Sequence, residues 1–223
     1  MGQTTNTDKI IAITFDDGPN TEITPLVLDK LEQYHIIGSF FVIGNLINEE
    51  SAKVMQRAVA LGCDIHNHSW THSFMTKLTK EEIIKEIEDT TKKIKEVTGQ
   101  DAKFFRPPYI DVNDVMFESI DLPFICGQGG QDWVPTVSSK DRAKKILDHV
   151  SDGSIIMLHD FVGNMKSVVA LDIIIPELQR RGYEFVTITE LFKRRGIEPK
   201  AYNGVVYSNV KDAVPYLELQ KQQ

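Results

Sequence analysis

Short apolar runs alternate along this chain with longer stretches whose apolar positions recur every three or four residues. The run at residues 10–13 is typical of a strand buried on both faces, and the stripe at residues 26–34 is typical of an amphipathic helix. The predicted strands are residues 10–13, 39–44, 63–66, 104–105, 122–126, 154–158 and 183–186, and the predicted helices are residues 24–35, 48–61, 79–98, 138–150, 168–181 and 189–195. Strand and helix thus alternate about seven times, which predicts an α/β fold with parallel strands and right-handed crossovers.

Unusual polar side chains follow the carboxyl ends of the predicted strands. They are Asp16, Asp17, His68, His72, Arg106, Asp132 and His159. A (β/α) barrel brings all of its strand ends to one face, where enzymes with this fold have their active sites. A doubly wound sheet collects only some of them at its switch point, so it is the second choice. The barrel is the fold that we expect.

Length and composition favour one domain. A chain of 223 residues that is 41% hydrophobic can bury one sizeable core. We expect a single catalytic domain over residues 1–223, with its core at about 9–195 and a C-terminal extension at 196–223, which lacks strong periodicity. Thr24 followed by Pro25 predicts the N-cap and first position of the first helix.

The charge balance limits the possible partners. A net charge of -7 and a pI near 5.4 disfavour nucleic acid and suit a neutral substrate. Cys63 and Cys126 lie far apart in apolar contexts, which predicts two buried thiols. No apolar run is long enough to span a membrane, and residues 1–8 are too polar and too short for a signal peptide.

Asp17, His68 and His72 are candidate ligands of one metal ion. One carboxylate and two imidazoles leave coordination positions open for water and substrate, and they suit zinc, cobalt or nickel better than magnesium or calcium. The His-x-x-x-His spacing places both rings on one face if residues 69–71 are helical, and a compact loop also brings them together. His66 lies nearby, but strand alternation predicts that it packs elsewhere.

A base and an acid are available beside these ligands. Asp16 faces the other way from Asp17 and is a candidate general base, which Arg106 would keep ionised. His159 is suited to protonate a leaving group, and Asp132 would fix its tautomer and raise its pKa. Taken singly, these residues are more often salt-bridge or core residues, so the prediction depends on their shared position at the strand ends.

Five motifs, in this order, resemble the polysaccharide deacetylases of carbohydrate esterase family 4 over residues 9–195. They are Thr14-Phe15-Asp16-Asp17-Gly18-Pro19, His68-Ser69-Trp70-Thr71-His72, Arg106-Pro107-Pro108-Tyr109, Asp132-Trp133 and Met157-Leu158-His159. The resemblance implies a distorted (β/α)7 barrel and the removal of acetyl groups from carbohydrates with a divalent metal.

The resemblance also implies roles for individual residues. These are Asp16 as base, Arg106 as the residue that positions it, Asp17, His68 and His72 as metal ligands, the Tyr109 backbone N–H as oxyanion donor, His159 as acid, Asp132 as its partner, and Tyr109, Trp133 and Met157 as substrate-binding side chains. Two positions depart from the common family pattern, because Gly129 replaces an Asp and Ile110 replaces a Gly. Both changes affect the substrate groove rather than the metal site.

Several later segments are more similar to clostridial acetylxylan esterases than to peptidoglycan deacetylases. The expected substrate is therefore an acetylated polysaccharide or oligosaccharide, with O-acetyl groups of xylan preferred. N-acetylglucosamine polymers are the alternative substrate. A non-catalytic carbohydrate-binding protein and a hydrolase of small amides are the two other hypotheses for the function. The family also implies an extracellular or cell-surface protein, and we expect a monomer.

Overall fold

The computed structural model describes residues 9–202 and 204–215, without the side chains of 212–215. The strands are β1 (Lys9–Gly18), β2 (Ser39–Val42), β3 (Asp64–Asn67), β4 (Phe124–Ile125), β5 (Gln128–Gly129), β6 (Ile155–His159), β7 (Tyr183–Phe185), β8 (Val205–Asn209) and β9 (Asp212–Pro215). The helices are α1 (Ile23–Gln33), α2 (Glu49–Ala60), α3 (Lys80–Thr98), α4 (Asp114–Ser119), α5 (Ser139–His149), α6 (Met165–Arg180) and α7 (Ile188–Arg194). Residues 1–8 and 216–223, which the sequence analysis includes in the expected domain, lie outside the described part of the chain.

Parallel pairing arranges the strands as a distorted barrel around β1. β1 pairs with β2 on one side and β6 on the other, β2 pairs with β3, and β5 pairs with β6. Single bridges from Asn67 to Phe105 and from Phe105 to Phe124 link β3 to β4, and two residues separate β4 from β5. β7 pairs with the first three residues of β1. No backbone pairing joins β4 to β5 among the described residues, and the otherwise complete ring confirms the distorted barrel rather than a doubly wound sheet.

The fourth strand position of this ring is only one bridge long. Phe105 forms it, and Pro107 and Pro108 follow almost at once. Proline has no N–H to donate to a strand ladder, so pairing ends there and the chain turns outward. This break is one source of the distortion, and it places Arg106 at the rim.

Alternate residues of β1 pack on opposite faces. Ile11 and Ile13 contact the main core cluster, which includes residues of α1, α2 and α6. Ile10 and Ala12 belong to a second cluster with Phe41 and residues of α7. Because side chains alternate along a strand, Asp16 continues the face of Ile10 and Ala12.

The extension packs on the domain, as expected, whereas one predicted cap is wrong. β8 and β9 form a hairpin, and β8 pairs with β4, so residues 205–215 lie on the barrel through a three-stranded sheet. α1 begins at Ile23, so Thr24 is not its N-cap. The Thr24 hydroxyl instead donates a hydrogen bond to Asp160, and the side-chain oxygen of Asn20 accepts from the first N–H groups of α1.

Two further features concern the cysteines and the helices. Cys63 is buried and Cys126 only partly buried, both as free thiols, and burial raises the pKa of Cys63 to about 12. None of the helices in the described ranges has both the length and the apolar character needed to cross a bilayer.

Candidate active site

Asp17, His68 and His72 come together at the carboxyl ends of β1 and β3. Oδ1 of Asp17 lies 3.3 Å from Nε2 of His68 and 3.2 Å from Nε2 of His72. Each residue offers a ligand atom within 4.8 Å of the others. Oδ1 of Asp17 is buried and accepts no hydrogen bond from the described residues. An unpartnered buried carboxylate oxygen facing two imidazole nitrogens fits a divalent cation.

A bulge in β1 separates the two adjacent aspartates. Asp16 pairs with Phe41 of β2 and Gly18 with Val42, so Asp17 is an extra residue in the ladder. Its φ of 73° lies in the left-handed region. A bulge redirects a side chain locally, which is why Asp16 and Asp17 serve different partners.

The two histidines are joined by a compact loop rather than a helix, which decides between the two arrangements left open by the sequence. The loop is held by side chains: the Asn67 carbonyl oxygen accepts from the Ser69 N–H, and the Ser69 hydroxyl accepts from the His72 N–H. The side chain of Glu86 in α3 accepts hydrogen bonds from the backbone N–H groups of Trp70 and Thr71, each at 2.8 Å. His66 points elsewhere and packs between the rings of two phenylalanines, as expected.

Arg106 is buried and contacts both parts of the site. Its Nη1 donates to Oδ1 of Asp16 at 2.5 Å and to the Thr14 hydroxyl at 2.8 Å, and its guanidinium lies over the Phe41 ring. Its backbone carbonyl accepts from Nδ1 of His68 at 2.7 Å. That bond fixes the tautomer that leaves Nε2 of His68 free for a metal. Arg106 therefore orients the candidate base with its side chain and a candidate ligand with its backbone.

The charges of the histidines affect the ionisation of Asp17. Burial alone would raise the pKa of this carboxyl, but the close approach of His68, with the charges of His159 and His72, lowers it to about 2. For His72, burial and the charge of His68 lower the pKa. A lowered pKa keeps Asp17 ionised and a lowered pKa favours the neutral form of His72, and metal binding requires both states.

His159 lies at the end of β6 and pairs with Asp132. Its Nδ1 is 2.8 Å from Oδ1 of Asp132, whose Oδ2 accepts from the His159 N–H, also at 2.8 Å. Burial opposes the charged imidazole, but the hydrogen bond and charge of Asp132, with Asp16 and Asp17, raise the pKa of His159 to about 9. The imidazole is therefore a proton donor at neutral pH, with Nε2 as the other ring position.

A second set of buried residues holds Asp132 in place. Oδ2 of Asp132 accepts from the Ser167 hydroxyl at 2.7 Å and from the Asn164 amide at 3.3 Å. Arg142 of α5 then donates to Oδ1 of Asn164 and to Oγ of Ser167. The sequence did not single out these three residues, and α6 begins at Met165 rather than at residue 168, which places Ser167 in its first turn.

The same groups surround a cavity of about 320 Å³. It is lined by Asp16, Asp17, His68, His72, Pro107, Tyr109, Ile110, Trp133, Met157 and His159. Tyr109 and Trp133 are about half exposed, so their rings are available to a ligand, while Met157 is nearly buried. Every residue named as a candidate from the sequence lies in or directly behind this cavity, including Arg106 and Asp132 behind the wall.

The backbone at Tyr109 is strained in a way that the sequence does not reveal. Its φ is 60°, and Ile110, which replaces the family's usual glycine, has a φ of 54°. The backbone N–H of Tyr109 donates to no acceptor among the described residues, so it is free to bind a ligand oxygen. Such strain in non-glycine residues concentrates at functional sites.

Comparisons with known proteins agree with this geometry. Residues 3–121 match the family model described as polysaccharide deacetylase. The chain is 46% identical to a bifunctional xylanase/deacetylase of Pseudobutyrivibrio xylanivorans over 94% of this chain and 35% of that protein. It is 37% identical to the peptidoglycan-N-acetylglucosamine deacetylase PgdA of Listeria monocytogenes, over 83% of this chain and 39% of that protein.

A solved structure extends the similarity to the fold. The family 4 acetyl xylan esterase from Clostridium thermocellum, in complex with a cobalt ion, superimposes with a TM-score of 0.88 at 41% identity, covering 91% of this chain and 99% of that one. The chain spans between about a third and two fifths of the length of the first curated relatives.

Proposed function

This chain belongs to the polysaccharide deacetylase family, and on that premise we propose that it is a metal-dependent hydrolase that removes acetyl groups from a carbohydrate polymer. One observation carries the proposal: a three-residue metal site shares one cavity with Asp16, which is paired with Arg106, and with His159, which is paired with Asp132. A hydrolase of this kind needs a base for water and an acid for the leaving group at one centre.

Asp17, His68 and His72 would hold the metal. When bound there, a divalent ion supplies Lewis-acid polarisation of the acetyl carbonyl and acidifies water. We propose zinc, cobalt or nickel as the ion, because two imidazoles and one carboxylate suit these metals. The cobalt ion in the Clostridium thermocellum esterase supports this choice.

The remaining groups divide the proton transfers. Asp16, held by Arg106 at 2.5 Å, takes the proton of the attacking water. The free Tyr109 N–H donates to the developing oxyanion, and protonated His159 delivers its proton to the leaving oxygen or nitrogen. Trp133 and Met157 present apolar surface to the acetyl group and the sugar ring.

We propose O-acetyl groups of xylan as the substrate, in a role in xylan degradation. Support comes from the relatives that are named xylanase/deacetylase and acetyl xylan esterase. N-acetylglucosamine polymers are the second candidate, because a relative is named a peptidoglycan-N-acetylglucosamine deacetylase and the same base and acid serve an amide. A non-catalytic carbohydrate-binding protein fits poorly, since base, acid and metal site are all intact.

A polymer of this kind lies outside the cell, so we propose that the protein is secreted or held at the cell surface and acts as a monomer. Cell fractionation with an antibody to the chain tests the location, and its elution volume on a calibrated sizing column tests the monomer. Activity confined to the cytoplasm, or a stable dimer, would contradict these points.

The deciding experiment measures acetate release from acetylated xylan and from chitooligosaccharides side by side. The chelated protein is tested before and after zinc, cobalt or nickel is added. We expect release from xylan that stops on chelation and returns with metal. Full activity after exhaustive chelation would refute the proposal, and faster release from chitooligosaccharides would transfer it to the N-acetyl substrate.

A further inference from the structure

A second cavity, of about 480 Å³, borders the metal ligands. It shares Asp17 and His72 with the catalytic cavity, so the two cavities adjoin at the metal site. Its walls are the segments that follow β1, β2 and β6, all at the carboxyl face of the barrel. Its size lies within the range of about 300–1,000 Å³ that is usual for small-molecule sites.

Uncommitted neutral polar groups line this second cavity. The hydroxyl of Thr21 and the side-chain amide of Asn45 make no hydrogen bond to the described residues, and both residues are exposed. Asn48 uses its carbonyl oxygen to cap α2, which leaves its NH2 group as a donor. Leu46 and Val162 add exposed apolar surface. Hydroxyl and amide groups beside apolar patches match the alternating hydroxyls and C–H faces of a sugar ring.

Apart from the metal ligands, the lining of the second cavity is uncharged. No lysine or arginine is among the lining residues, so no side chain there supplies a cationic partner for an anionic ligand. The titratable side chains among the lining residues are Asp17 and His72, which belong to the metal site. Away from the metal ligands, this lining suits a neutral, hydroxyl-rich ligand.

The wall that carries Asn45 is fixed to the metal-ligand loop. The N–H groups of Gly44 and Asn45 donate to the carbonyls of Ser69 and Trp70, both at 3.0 Å. Gly44 lies so close to Trp70 that an added Cβ would approach the indole ring to 2.3 Å. A ligand in the second cavity therefore meets a preorganised wall, which lowers the entropy cost of binding.

A third cavity, of about 430 Å³, lies beyond Trp133 and differs in chemistry. The side chains of Asp132, Arg142 and Asn164 there are hydrogen-bonded to one another through Ser167 or directly, and Lys166 donates to a backbone carbonyl. Their polar groups are already used by the protein. This cavity shares Trp133 with the catalytic cavity and Phe161 and Val162 with the second one, but neither Asp17 nor His72 lines it, so it does not border the metal ligands.

We propose that the second cavity binds the neighbouring sugar unit of the polymer whose acetyl group lies at the metal site, with Asn45 as the main hydrogen-bonding side chain. The inference rests on the proposed function and adds the direction in which the polymer leaves the catalytic cavity. It makes Asn45 a determinant of chain-length preference rather than of the chemistry.

The test compares kcat/KM for a singly acetylated sugar and for its acetylated tetramer. The variants are Asn45→Ala, which removes the amide, and Asn45→Trp, which fills the cavity, with Met165→Ala in the third cavity as the matched control. The series uses xylose and xylotetraose, or N-acetylglucosamine and its tetramer if only these release acetate.

We expect the wild type to prefer the tetramer. Loss of one hydrogen bond predicts that Asn45→Ala lowers kcat/KM for the tetramer by about 3- to 10-fold, and that the monosaccharide stays within about twofold. Asn45→Trp should remove the preference altogether, and Met165→Ala should retain it.

The two proposals fail in different ways. Acetate release from both substrates that neither Asn45 variant changes overturns the second-cavity proposal alone. A wild type that releases acetate from no substrate overturns the proposed function and the second-cavity proposal with it.

Discussion

The Asp132→Asn substitution tests the origin of the proton that we assign to His159. In the wild type, the Asp132 carboxylate accepts from the imidazole at 2.8 Å, and both groups are buried or nearly so. Asparagine keeps the shape and removes the negative charge. Burial lowers the pKa of the imidazole, and in the variant the charge of Asp132 no longer counteracts it.

The size of the effect follows from the two pKa values. The pKa of His159 is raised from 6.5 to about 9, and Asp132 makes the largest contribution to the rise. A fall back to 6.5 or below corresponds to about 3 kcal/mol at 1.36 kcal/mol per pH unit. Because the folded-state pKa is raised, this stabilisation is fully present below pH 6.5 and is lost as the pH rises towards 9. The variant should therefore be less stable than the wild type mainly below pH 9.

The assay is an NMR titration of the histidine ring protons in metal-free wild type and variant. A His159→Gln protein identifies the resonance among the six histidines of the chain. We expect a wild-type pKa near 9 and a variant pKa at or below 6.5. A variant pKa that stays near 9 would refute the assignment of Asp132 as the charge that holds the proton.

Three further predictions concern groups around the same centre. Arg106→Met leaves Asp16 buried without its counter-charge and should lower the free energy of unfolding by about 3–5 kcal/mol, measured by urea denaturation; a loss under 1 kcal/mol would contradict the buried pair. Glu86→Gln weakens the acceptor of two N–H groups in the metal-ligand loop and should lower metal affinity about 10-fold in a chelator competition, whereas Glu88→Gln on the same helix should not. Burial raises the pKa of Asp160 to about 7, so ionisation costs stability as the pH rises from 4 through 7. Asp160→Asn should therefore gain in melting temperature over the wild type between pH 5 and pH 8, and parallel curves would contradict this.

The strand-end residues were predictable because one regularity positions them all. Asp16, Asp17, His159 and the histidine pair each follow an apolar run, and parallel strands end on one face of a barrel. The sequence also predicted the Arg106 pair with Asp16 and the Asp132 pair with His159, since each needs an opposite charge nearby. The roles of these residues stay predictions until variants are measured.

Other features depend on backbone geometry and packing that no local pattern encodes. The left-handed φ of Asp17, His72 and Tyr109 is uncommon for non-glycine residues and is imposed by the surrounding loops. Ser167 and Arg142 reach Asp132 only because α5 and α6 pack together. The sequence does not indicate whether a polar residue at the start of a helix, such as Ser167, contacts a carboxylate or solvent.

The central claim is that the adjacent aspartates have separate tasks, and the direct test compares Asp16→Asn with Asp17→Asn. Both proteins are loaded with zinc or cobalt, freed of excess ion, and measured for bound metal per chain and for acetate release. We predict that Asp16→Asn keeps its metal and loses turnover by about 10²- to 10⁴-fold, as expected for removal of a general base. Asp17→Asn should lose the metal itself, because its Oδ1 is the carboxylate ligand atom between the two imidazoles. Equal metal loss in both variants would contradict the account.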